Sequence, residues 1–66
     1  MEFEIVFDRE EDGRWIAEIE ALPGVMVYGA TKEEAQSKVE ALALRVVADR
    51  IERARSTAGM VRFKAA

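Results

Sequence analysis

Thirteen carboxylates, no histidine and no cysteine set the limits of the chemistry open to this chain. Asp8, Glu18 and Glu20 are the acidic residues that could gather a divalent ion for hydrolysis of a phosphodiester. The set is incomplete, because the last extended segment offers Arg62 and Lys64 where a further ligand would be useful. Without His or Cys, a zinc or other transition-metal site would have to be built from carboxylates alone, which suit magnesium or calcium instead. Ser37, Ser56, Thr31 and Thr57 lack a companion base that would activate a hydroxyl. Gly13, Gly24, Gly29 and Gly59 all fall at expected turns, and their spacing matches neither a phosphate-cradling loop nor a dinucleotide fingerprint. The residues thus point to a protein that binds rather than catalyses and that needs no cofactor, with a metal-dependent nuclease remnant as the rival.

The elements that would carry these residues follow from periodicity. In 66 residues there is room for one core, burying roughly 60% of the surface of the unfolded chain. Disulfides are excluded as a supplement, and oligomerisation is the one that remains. Phe3, Ile5 and Phe7 alternate with Glu2, Glu4, Val6 and Asp8, which predicts a half-buried first strand. Asp12-Gly13 favours a reversal into a second strand, Trp15 to Ile19. Leu22-Pro23-Gly24 predicts another reversal, followed by a short third strand, Val25 to Tyr28.

Thr31 with Glu34 three positions on has the spacing of a capping box, and the predicted helix runs from about Lys32 to Ala54. Its stripe of Ala35, Val39, Leu42 and Val46, flanked by Ala43 and Val47, is expected to pack on the sheet. A helix of that length, at roughly 1.5 Å per residue, must overhang strands of five or six residues. Met60 to Lys64 alternates as a last strand, and a helix between two strands favours a parallel crossover. The expected fold is α+β, in the order β-β-β-α-β. It has an antiparallel meander, a last strand parallel to the first, and one long helix on one sheet face.

Two surfaces are left for binding. A single helix covers one face of a sheet, so Glu2, Glu4, Glu18 and Glu20 lie on the other, an acidic surface suited to a basic protein. Glu18, Glu20 and Tyr28 are the candidate partner-binding residues. Trp15 is assigned to the core. Leu44, Val47 and Ile51 form a second apolar stripe, assigned to self-association as a homodimer or higher oligomer. The net charge of −3 conceals a split: residues 1–40 carry eleven acidic and four basic side chains, residues 41–66 two and six. That asymmetry disfavours general nucleic-acid binding, which needs a continuous positive footprint. The N-terminal residues do not read as a secretory signal, and no apolar run approaches the roughly 20 residues of a membrane span. The expected location is the cytoplasm.

The hairpin with Gly13 at its turn, Trp15-Ile16-Ala17-Glu18, Leu22-Pro23-Gly24-Val25 and Gly29-Ala30-Thr31-Lys32-Glu33-Glu34-Ala35 occur in an order that resembles the HicB family of antitoxins. The resemblance covers about the first 55 residues and rests on turns and caps. It implies a partial ribonuclease-H-like fold and a type II toxin-antitoxin role. In that role the chain would neutralise a small, basic HicA-type mRNA interferase by covering its active surface. It implies no ribonuclease activity here. Many family members continue into an operator-binding domain; no DNA-binding domain is expected in this chain. Stand-alone cores of this size also resemble members with no assigned role, which leaves a structural homodimer as the alternative.

Overall fold

The structure, a computed structural model, describes residues 1–66. It is α+β: β1 (Glu2–Arg9), β2 (Trp15–Glu18), β3 (Met26–Gly29), α1 (Lys32–Ala54) and β4 (Arg62–Ala65). The strands form one mixed sheet in the order β3-β2-β1-β4, antiparallel except for the parallel pair β1–β4. This is the arrangement expected from periodicity.

Each reversal follows from its glycine. Glu10 and Arg14 close the first hairpin through the Glu10 amide and the Arg14 carbonyl at 2.8 Å, with Gly13 at φ 94 supplying the left-handed step of a bulged turn. In the second, Pro23 and Gly24 (φ 83) occupy the centre of a turn closed by the Val25 amide on the Leu22 carbonyl at 3.0 Å. The flanking Leu22 and Val25 are buried, so this turn is part of the core. The boundaries differ slightly from expectation. Val25 still accepts a bond from the Ile19 amide at 3.1 Å but precedes β3, which extends to Gly29, and β4 begins at Arg62, whose amide reaches the Met1 carbonyl at 2.9 Å.

Gly29 is not the turn residue its sequence position suggested. It lies at the end of β3, buried against the start of the helix, where an added Cβ would sit 2.5 Å from the Ala35 nitrogen and 2.9 Å from its Cα. The helix therefore rests on the sheet along small residues. Ala17, Ala35 and Ala43 are all fully buried with Val39, and Val47 completes the line. Leu42 and Val46, placed by periodicity at the centre of the packing stripe, are displaced to its half-buried flanks. The self-association stripe is likewise corrected. Val47 is a core residue at 5% exposure, Ile51 is half-buried against that core, and only Leu44 faces outward, among Glu33, Gln36, Ser37, Glu40 and Ala41. The three residues do not form one exposed surface.

The Thr31 hydroxyl caps the helix, accepting from the Glu34 amide at 3.0 Å, while the Glu34 carboxylate returns to the Ala30 amide at 3.4 Å, one residue short of the expected box. At the other end Arg55 adopts the left-handed conformation (φ 51, ψ 42), and the amides of Arg55 and Ser56 both reach the Ile51 carbonyl. A side chain in that conformation costs about 1 kcal/mol that glycine does not. Arg55→Gly is expected to raise the unfolding free energy by about 0.5–1 kcal/mol, read from urea denaturation; an unchanged or lower midpoint would contradict this account of the cap.

The helix overhangs the sheet as its length requires, and the molecule measures 42 × 18 × 16 Å. A half-open cavity of about 240 Å³ lies between the C-terminal half of α1 and the start of β1, lined by Met1, Phe3, Val47, Arg50, Ile51, Ser56 and Thr57. No helix is long and apolar enough to cross a membrane.

Candidate docking face of the sheet

Alternation along the strands sends odd-numbered residues to the helix and even-numbered ones to the open face. Phe3, Ile5, Ala17 and Ile19 are buried, with Phe7, Trp15, Val27 and Phe63 packed against them. The open face receives Glu2, Glu4, Val6 and Asp8 from β1, Ile16 and Glu18 from β2, Met26 and Tyr28 from β3, and Arg62 and Lys64 from β4. The register sets their neighbours: Tyr28 beside Ile16, Ile16 beside Asp8, Met26 beside Glu18, Glu18 beside Val6. Val6 and Ile16 are half-buried, and Met26 and Tyr28 are 46% and 40% exposed. The centre of the face is therefore apolar and partly exposed. The Arg14 guanidinium lies over the Tyr28 ring at 4.6 Å, fixing the ring's position at the margin.

Charge is sorted across this face. At the β1–β4 side Arg62 binds Glu2 at 2.8 Å, and Lys64 approaches the same carboxylate at 3.6 Å. The hydrogen bond and charge of Arg62, then the charge of Lys64, hold the Glu2 carboxyl below its ordinary pKa. Glu4, Glu18 and Glu20 form no salt bridge; Glu4 still has Lys64 beside it in the β1–β4 register, whereas Glu18 and Glu20 have no basic partner. The acidic surface expected from the sequence is thus present at Glu18 and Glu20, beside the apolar centre, but neutralised along β4, whose basic residues the parallel pairing brings beside Glu2.

The Glu2 cluster has a signature in acid. A carboxylate whose folded pKa is depressed stabilises the fold above its unfolded value, and that contribution is lost as pH falls through the folded value. Asp12, lowered mainly by the Arg14 amide, and Glu34, lowered mainly by its bond with Lys38, have the same sign. The urea midpoint is therefore expected to be level from neutrality down to the ordinary glutamate value of about 4.3 and to fall below it. Glu2→Gln should flatten that fall. A midpoint that declines already between pH 7 and 5 would contradict the assignment.

Of the residues singled out by sequence, Glu18 and Tyr28 share this face on adjacent strands, and Glu20 is exposed just beyond the end of β2. Asp8, Glu18 and Glu20 do not assemble as ion ligands. Asp8 pairs with Ile16 and Glu18 with Val6, which sets the two carboxylates on a diagonal, and nowhere do three such groups lie close enough to hold a metal ion. Sequence reasoning missed the contribution of Val6, Ile16 and Met26 to a shared apolar centre. Their even-numbered positions signalled it, but only the register shows that they meet. Comparison with family models, with curated proteins and with solved structures gives no match for the chain.

Proposed function

We propose that this protein is an antitoxin-like binding module of a type II toxin-antitoxin system, acting in the cytoplasm on a small basic protein of the HicA mRNA-interferase type. The observation that carries this reading is the open sheet face, with Glu18 unpaired among Val6, Ile16, Met26 and Tyr28 and Glu20 exposed just beyond the end of β2. An apolar centre gives a partner area to bury, while unpaired carboxylates steer a basic partner and repel an acidic one. Two such faces stacked on each other would set like charges together, which favours a different protein as the occupant. Covering the partner's catalytic surface is inhibition by occlusion and requires no turnover from this chain. The resemblance of the turn and cap motifs to those of HicB antitoxins supports the same reading.

The test is co-expression with any short basic open reading frame found to neighbour the gene. Growth should be restored by the native chain, and Glu18→Lys with Glu20→Lys should abolish rescue and weaken the purified complex by about tenfold or more. A toxic neighbour that the native chain neither binds nor silences, or a complex indifferent to both reversals, would count against the proposal.

A further inference from the structure

The edge of β3 differs from every other exposed edge in the molecule. Because the Ile19 amide bonds to the Val25 carbonyl, the hydrogen-bonded pairs between β2 and β3 are 19–25, 17–27 and 15–29, and the intervening pairs 18–26 and 16–28 are not bonded. The backbone groups of Met26 and Tyr28 therefore point away from β2, toward solvent. Two of the four are already engaged, weakly. The Met26 amide contacts the Gly24 carbonyl at 3.2 Å, and the Tyr28 carbonyl receives the Lys38 ammonium at 3.4 Å, which Glu34 holds at 3.0 Å. The Tyr28 amide and the Met26 carbonyl remain free for pairing.

These two groups are complementary to each other. If a second β3 lies antiparallel about a two-fold axis at Val27, each Tyr28 amide meets the Met26 carbonyl of the other copy, forming two hydrogen bonds without displacing anything. The same register sets each Tyr28 ring beside the Met26 side chain of the other copy. β3, with the sequence Met-Val-Tyr-Gly, has no charge and no proline to oppose such pairing. The opposite edge is unsuited to it, since β4 carries Arg62 and Lys64, which would face their own kind. We propose that β3 is a self-association edge, at which a second copy of this chain joins two four-stranded sheets into one of eight, with Lys38 competing for the Tyr28 carbonyl that the Met26 amide of the other copy would otherwise reach as a further bond. This inference is independent of the toxin partner, because the acidic face stays open in the dimer.

Sedimentation equilibrium over a range of concentrations, with amide exchange at Tyr28, tests it. The expected result is a reversible dimer in which the Tyr28 amide gains protection as dimer forms. Tyr28→Pro should abolish the dimer with its folded spectrum retained, since the amide it removes points outward and takes no part in the β2–β3 ladder, and the ring it removes is exposed. Val27→Cys, in a chain with no other cysteine, should give a covalent dimer on oxidation, because residues facing each other at an unbonded antiparallel pair lie within disulfide reach. Lys38→Ala should tighten the dimer about two- to tenfold by releasing the Tyr28 carbonyl. A monomer at millimolar concentration overturns the proposal, as does a dimer whose Tyr28 amide exchanges as fast as in the monomer. If Tyr28→Pro fails to fold, amide protection and Val27→Cys cross-linking decide the matter.

Discussion

Gly29→Ala is expected to cost about 2–3 kcal/mol, more than a single methyl group costs at most sites, because the new carbon would meet backbone rather than a yielding side chain. The Ala35 nitrogen and Cα and the Thr31 carbonyl oxygen lie within 3.0 Å of its ideal position. Relief would require moving the first turn of α1 off the end of β3. The gain from a stiffer unfolded chain, at most about 1 kcal/mol, does not offset this. A domain of this size commonly has only about 3–5 kcal/mol in total, so a large share of the molecules should be unfolded in mild urea. Trimming Ala35 to glycine in the same chain should not rescue it, since the obstructing atoms are main-chain. Equal midpoints for Gly29→Ala and the native chain would falsify the close approach.

Leu22→Ala should cost about 2–4 kcal/mol although Leu22 lies in a turn, whereas Leu44→Ala, in the middle of the helix, should stay within about 0.5 kcal/mol. Leu22 is 2% exposed and joins the same cluster as Ile5, Ile19 and Val39; Leu44 is 46% exposed. Thermal or urea unfolding of both variants measures the contrast. A reversed order would mean that the helix turns a different face to the sheet.

These two leucines also show what could be read from the chain in advance. Strand alternation, the Asp12-Gly13 and Pro23-Gly24 reversals and the Thr31 cap are local signals, and they lead to the observed order of elements and to the helix span of Lys32–Ala54. Helix rotation is not local. Which of Leu42, Ala43, Val46 and Val47 lies deepest depends on how closely the helix can approach, and that is set by Gly29 and Ala17 on the partner strands. The same holds for the open face. Its even-numbered residues are legible one strand at a time, but the neutralisation of Glu2 by Arg62 depends on a pairing between residues sixty positions apart. Likewise, the burial of Leu22 was hidden because a proline-glycine turn is ordinarily a surface feature.

The overhanging helix governs how the protein will behave as a hydrodynamic object. A compact chain of this length has a radius of gyration of about 11 Å, against 12.5 Å here, with one dimension more than twice either of the others. Friction rises with that elongation, so a single copy will leave a sizing column early, at the volume of a larger sphere, and can be mistaken for a pair. Tumbling will also be anisotropic: amides along α1, whose N–H bonds follow the long axis, should show faster transverse magnetisation decay than strand amides, a pattern that joining a second copy would visibly reorient.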